Sequence, residues 1–465
     1  MTDIDAARPD DASATPPVSR EWARQQRQGG RRSDGPRSPE QPGEQPTPPS
    51  KGGRRKARVA KGGVSRRGVI AYGIATLVFV AGLVSLVWKG YDTSLDIKGG
   101  SSFETETDPA KPGYEAQVAT VPDHLVIHVD STGRMTEAQL YVELPSVGAR
   151  DCAEGAECPA GAGVVMVIPG VTLVETDAGR SELSQYIADN GVEAGVAEIE
   201  SILGFDVTDA VTLSPDALVD LFEPAGPVTI QNPDALIATN ADGDKEIRYG
   251  AGPLTLQPSQ IPEYLAFKSD GEAAINRSDR LELVWKAWMA AIAADPAKAP
   301  TAAPFTPVVG DADSVDLAGM VTRLSTATVS YTALPVETIP IPGAAGAAVY
   351  RPDPEAMAAL VPSVVPYPTS AFPGQRARTR VLNGTADHGA ATRAASPVVA
   401  AGAEITIFGN ARTQDLATTT VEYHGDGSAA AAERIAAALG VTASRSTVPT
   451  EAYDVTVTLG ADFNG

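Results

Sequence analysis

A membrane-anchored α/β (α+β) protein is what this sequence predicts: one membrane-spanning helix, a large mixed-sheet domain and a small βαββαβ domain at the C-terminus. Three observations lead there. A charge-free apolar run is long enough to span a bilayer, the charge of the chain changes sign at that run, and short β-rich segments alternate with helical ones through the rest.

The apolar run is GVIAYGIATLVFVAGLVSLVW, residues 68–88. At about 1.5 Å per residue it crosses the roughly 30 Å hydrocarbon core of a bilayer. Arg54, Arg55, Lys56, Arg58, Lys61, Arg66 and Arg67 precede it, whereas Lys89 and Lys98 are the basic residues that closely follow. Positive charge stays on the cytoplasmic side, so the N-terminus is expected inside and the bulk of the chain extracytoplasmic. A cleaved signal peptide is the competing reading, but the run exceeds a usual h-region and SLVWKG offers no A-x-A-like site.

Residues 1–67 carry 15 Lys+Arg against 8 Asp+Glu, so the whole-chain charge of −21 leaves −28 beyond residue 67. Such an acidic exterior does not attract nucleic acid, because phosphate neutralisation needs concentrated Lys and Arg. The tail 1–67 is rich in Pro, Gly, Ser, Gln and charge and has few large apolar residues, so it is read as disordered. Its basic residues orient the helix and can rest on anionic headgroups.

Beyond the helix, 89–120 reads as a connector with a turn at TDPAKPG. LVIHVD, AQLYVEL and GVVMVIPG are strands bounded by Gly, Pro and Asp. Residues 181–203 have one apolar helical face, with Gly191 and Gly195 inside it. DVTDAVTL is a strand, and SPDALVDLF opens a helix with Ser214 as N-cap and Pro215 at the first helical position. GPVTI, a hairpin around Asp242-Gly243 and a short helix near 258–267 follow. RSDRLELVWKAWMAAIAA is the strongest helix, with Leu281, Val284, Trp285, Trp288, Met289 and Ile292 on one side. The large domain is set at 121–360 and a Pro-rich linker at 361–377. From 378 to 465 the order is strand, helix, strand, strand, helix, strand, which is the split βαβ or ferredoxin-like order.

RVLNGTADHGAATRAA, AAGAEITIFGNA, TTTVEYHGDGSAAAAERIAAALG and DVTVTLGADF, in that order, resemble the C-terminal domain of many LytR-CpsA-Psr envelope proteins. More faintly, the larger domain resembles the catalytic domain of that family. PDHLVIHVD stands at its Arg-Ser-Asp strand start, LYVELPSVG at its Pro-Arg-Asp segment, and INRSDRLELVWKAWM at its Arg-x-x-Arg helix. The resemblance implies a membrane-anchored, outward-facing protein that moves phosphate-linked glycopolymers from a polyprenyl pyrophosphate carrier to peptidoglycan. It also implies arginines on the pyrophosphate and acidic residues holding a divalent metal such as Mg2+. Arginine forks match phosphate oxygens, and a metal neutralises charge during phosphoryl transfer.

Arg277 and Arg280 retain the helix motif, and Asp123 matches the acidic member of the first motif as a candidate metal ligand. Val121 and Pro122 replace the expected Arg before it, Ser146 and Val147 follow Pro145 in place of Arg-Asp, and Leu281 replaces a Gln. Each retained residue also has an ordinary reading. Arg277 and Arg280 fit surface pairing with Asp279 or Glu282, and Asp123 fits a strand-start turn. The histidines His124, His128, His388 and His424 read as structural or surface residues, and Trp285 and Trp288 as core or groove lining. Arg134, Arg150 and Arg180 are the arginines that could compensate. Cys152 and Cys158, in DCAEGAEC, suit a local disulfide in an oxidising compartment or a pair of free thiols. Two functions follow: a degenerate glycopolymer phosphotransferase, or a non-catalytic envelope protein that binds wall glycan, lipid-linked precursor or a protein partner.

Overall fold

The computed structural model describes residues 106–464 except 145–160, 177–178, 241, 270–271, 274, 302–304, 310–316 and 341–347. The tail, the membrane run at 68–88, Pro145, Ser146, Val147, Arg150 and the cysteine pair Cys152 and Cys158 therefore lie outside the described residues. Among the described residues no helix is long and apolar enough to cross a membrane.

The connector ends differently from expectation. TDPAKPG makes the expected turn, with Lys111 N donating to Asp108 O. It then leads into a strand, β1 (Glu115–Gln117), which belongs to the sheet of the C-terminal lobe.

The large sheet is built from β2 (Asp123–Val129), β3 (Met135–Leu144), β4 (Ala162–Pro169), β5 (Asp209–Leu213), β6 (Thr306–Val309) and β7 (Thr328–Ala333), in the order β6-β5-β2-β3-β4-β7. Strands β2, β4, β5 and β7 run one way and β3 and β6 the other. A strand exposes alternate residues to opposite faces. Leu125, Ile127, Leu140 and Met166 accordingly join one core, and Val126, Tyr141, Val165 and Val211 the other.

The first core is covered by α1 (Leu183–Asn190) and α2 (Val192–Leu203). The single helix predicted over 181–203 is thus broken at Gly191, whose φ of 87° suits glycine. The second core is covered by α3 (Pro215–Phe222), α5 (Asn276–Ala294) and α6 (Leu317–Thr326), with the short α4 (Ile261–Ala266) beside them. Ser214 caps α3 as expected, accepting from Ala217 N at 3.2 Å. The predicted hairpin joins Leu236–Thr239 to Lys245–Tyr249. Helix α7 (Pro354–Val364) crosses the boundary drawn at residue 360.

The C-terminal lobe contains β8 (Ala377–Asn383), α8 (Ala390–Ala400), β9 (Ala403–Asn410), β10 (Thr420–Tyr423), α9 (Ala429–Ala438), β11 (Ala443–Arg445) and β12 (Val455–Leu459). The expected βαββαβ order is present, with β1 and β11 added. The sheet order, β1-β9-β8-β12-β10-β11, is not ferredoxin-like. Strand β8 pairs in parallel with both β9 and β12, and β10 in parallel with β11. Each helix therefore returns the chain to the neighbouring strand, with no strand inserted between the two. Element order is common to both arrangements, and pairing separates them.

Arg376 joins the lobes. It is 8 % exposed, and its Nε donates to Gly204 O at 2.6 Å while Nη1 donates to Val399 O and Ala403 O at 3.0 and 3.1 Å. Gly204 ends α2, and Val399 lies in the last turn of α8, so one guanidinium satisfies carbonyls at the ends of helices from both lobes.

Candidate functional site

In open α/β sheets ligands bind outside the carboxyl ends of the strands. A cleft of ≈ 300 Å³ lies at the carboxyl ends of β2 and β5, lined by His128, Asp130, Glu137, Ser214, Leu218, Pro262, Glu263, Arg277 and Leu281 among others. Strand β2 carries His128 to this edge, and the antiparallel register sets Glu137 of β3 directly opposite. Strand β5 hands over to Ser214 and the start of α3. The first two turns of α5 bring Arg277 and Leu281, four residues apart on one face.

Glu137 is the buried carboxyl of the cleft, 5 % exposed. Its Oε2 accepts from Ser278 Oγ at 3.2 Å, and Oε1 lies 3.9 Å from Arg277 Nε. Burial pushes its carboxyl up to about 8, although Arg277, Ser278 and the Gly170 backbone act the other way. His128 donates from Nε2 to Gln139 Oε1 at 3.0 Å, and Tyr141 OH donates to the same oxygen at 2.9 Å. Burial pushes His128 down to about 4, so it is a neutral imidazole, with Trp285 edge-on at 5.3 Å between centroids.

The two retained arginines do not converge. Positions three apart on a helix differ by about 60° around its axis, which lets long side chains part. Arg277 faces the cleft. Arg280 is 3 % exposed, is absent from the cleft wall, and donates to Glu272 and to the Phe267 carbonyl under the ring of Tyr264. It fastens the segment before α5 to the helix.

Asp123 stands apart from both. It opens β2, whereas the cleft lies at the other end of that strand, about 20 Å away at the usual rise per residue. Its Oδ1 accepts from Thr208 N at 2.7 Å, and burial pushes its carboxyl up to about 7, with Asp206 and Asp209 adding to the rise. It ties the start of β2 to the start of β5. Among the described residues no group of three His, Cys, Asp or Glu side chains could hold a metal ion. The carboxyl groups on the cleft wall are those of Asp130, Glu137 and Glu263, and Asp123 is not among them.

Neither described candidate for compensation reaches the cleft. Arg134 donates to Ser184 Oγ at 3.3 Å and lies 3.7 Å from Glu182, and Arg180 pairs with Glu175 at 2.9 Å. Trp285 and Trp288 are core residues, 1 % and 0 % exposed, packed on Phe222. Among the histidines, His128 does line the cleft. Sequence reasoning missed Glu137, Gln139 and Ser278. The available signal was polar side chains within the apolar run of β3, where alternation alone would place solvent-facing residues.

Residues 376–463 match the family described as "LytR cell envelope-related transcriptional attenuator". No curated protein matches the chain. Among solved structures, Lin1025 from Listeria innocua is 16 % identical, over 52 % of this chain and 96 % of that one, with a TM-score of 0.35. TagV of B. subtilis is 12 % identical, over 53 % and 96 %, with a TM-score of 0.38. TagT, in a structure described as bound to LI-WTA, is 16 % identical, over 56 % and 92 %, with a TM-score of 0.37. Likenesses at this level do not carry chemistry from one chain to another.

Proposed function

We propose that this is a membrane-anchored cell-envelope protein whose large lobe binds a wall glycan or its lipid-linked precursor without transferring it. The observation that carries the reading is the balance of charge at the cleft. Arg280 is committed to Glu272, and Arg277 faces the buried Glu137 at 3.9 Å. Phosphoryl transfer needs positive charge free to meet developing negative charge. Here Arg277 is the one arginine on the cleft wall, with the Asp130 carboxylate beside it and Glu263 already held by Arg248, which leaves little free positive charge for a pyrophosphate. The apolar surface of Leu213, Leu218, Leu265 and Leu281 with a few polar groups suits a sugar or an isoprenoid better. The match at residues 376–463 supports the envelope setting. The anchor at 68–88, the cytoplasmic N-terminus and the extracytoplasmic lobes belong to the same proposal and rest on the hydropathy and charge of the sequence.

The test is to incubate the purified full-length chain with polyprenyl pyrophosphate-linked glycan and peptidoglycan, with and without magnesium, beside Arg277→Ala. Retention of glycan without release of polyprenyl phosphate is expected in both forms. Magnesium-dependent transfer that Arg277→Ala abolishes would sink the binding reading and establish the phosphotransferase.

A further inference from the structure

A second cleft, of ≈ 440 Å³, lies in the C-terminal lobe, between residues 370–374, the start of β8 and the first turns of α9. Its wall includes Arg376, Arg378, Arg434, Ser370, Glu404 and Asp454. Three arginines face two carboxylates, which leaves one positive charge in excess on a chain whose net charge is −21.

These charges are held unequally. Asp454 is fully engaged by Arg378, accepting from its backbone N, its Nε and its Nη2 at 2.9, 3.2 and 2.9 Å. Glu404 accepts from Ser370 N at 3.0 Å. Arg376 is buried against three carbonyls, and burial pushes it down to about 10, so it stays cationic at neutral pH without a carboxylate in hydrogen-bond contact. Arg434 is exposed and makes two long bonds, from Nε to Ala401 O and from Nη1 to Ala430 O, both at 3.4 Å. Among the described residues it has no ion-pair partner. Ser370 Oγ, shielded from solvent in the same wall, makes no hydrogen bond to the described residues. An exposed guanidinium with unused donors, an unused hydroxyl and a buried cation thus meet in one cleft. Guanidinium donors match the paired oxygens of a phosphate or carboxylate.

We infer that this cleft binds a single small anionic group, a phosphate ester or a carboxylate, with Arg434 and the Ser370 hydroxyl as its direct donors and the charge of Arg376 beneath it. This site is separate from the large-lobe cleft and does not depend on the function proposed for that cleft. Because Arg376 also holds Gly204 O of the large lobe, an anion here is bound at the joint between the lobes.

The test is calorimetric titration of the purified full-length chain at low salt with inorganic phosphate, glycerol phosphate and acetate. Saturable one-site binding is expected, weakened about tenfold by Arg434→Ala, the loss due to one charge-assisted hydrogen bond, and also weakened by Ser370→Ala. Arg277→Ala should leave it unchanged, which separates this site from the first cleft. Preference for the phosphates assigns a phosphate ester ligand, and preference for acetate assigns a carboxylate ligand. Absence of saturable binding by all three anions would overturn the inference. So would binding that Arg434→Ala leaves intact while its melting curve shows a folded protein.

Discussion

Among the described residues each lobe buries one arginine, and the two are satisfied by different partners. Arg280 in the large lobe answers a carboxylate, Glu272, and a single carbonyl. Arg376 at the joint answers carbonyls alone. A guanidinium paired with a carboxylate adds no charge to its surroundings. One held by helix-end carbonyls leaves its surroundings positive. Arg280, half of the motif that resembles an anion-binding pair, is therefore internally neutralised, and the cleft with excess positive charge lies in the lobe that carries no such motif.

The largest effect expected from this contrast concerns Arg280. Arg280→Ala strands Glu272 as a buried charge and should cost about 3–5 kcal/mol in denaturant unfolding, much of it recovered in the double variant Arg280→Leu with Glu272→Leu. Arg376→Ala should lack any such rescue by a second side chain, because its partners are backbone carbonyls. Recovery of Arg376→Ala by a single side-chain change would break the comparison.

The next effect tests whether β1 belongs to the C-terminal lobe. A Cβ at Gly409 would stand 2.2 Å from Tyr114 O, so Gly409→Ala should strain the β1–β9 pairing and cost about 1–3 kcal/mol. Hydrogen exchange should localise the loss to residues 114–118 and leave the large-lobe cleft protected.

Acidity provides a smaller effect of predictable sign. Glu137, raised from 4.5 to about 8, and Asp123, raised from 3.8 to about 7, ionise more readily in the unfolded chain, so their stabilising contribution is lost as pH rises through those ranges. His128, lowered from 6.5 to about 4, acts in the opposite sense and destabilises the fold only as pH falls below about 6.5. Acidifying from pH 8 to 7 should therefore stabilise the large lobe by about 1 kcal/mol through Glu137, and Glu137→Gln should flatten that slope. A melting temperature that falls over this interval in the wild type but not in Glu137→Gln would contradict the assignment.

The smallest effect should come from Arg378. Its pair with Asp454 is half-exposed, and Arg378→Ala should cost under about 1 kcal/mol in a thermal melt. A loss as large as that of Arg376→Ala would erase the distinction between the floor of the second cleft and its rim.

Much of the scaffold was legible in the sequence because it rests on local chemistry. Ser214-Pro215 marked the start of α3, Asp242-Gly243 a hairpin, and the spacing from Leu281 to Ile292 the buried face of α5, since caps, turns and helical periodicity are written within a few residues. Gly191 was visible too, but whether it bends a helix or ends one depends on the φ it adopts. The candidate site was legible only in part: Arg277 was singled out and lines the cleft, while Glu137 and His128 were hidden because a polar residue in a strand reads as solvent-facing until the other face is known.

The sequence by itself determined many of the helices and strands of the described lobes, the excess of negative charge and the βαββαβ order within the C-terminal lobe, all of which depend on residues close together in the chain. Only the tertiary structure decided which strands pair, that residues 115–117 complete a sheet made almost 300 residues later, that Arg280 is spent on Glu272, and that Asp123 lies at the wrong end of β2 to meet Arg277. Those outcomes depend on pairing register and on which charges burial brings together, and neither is encoded at a fixed spacing along the chain.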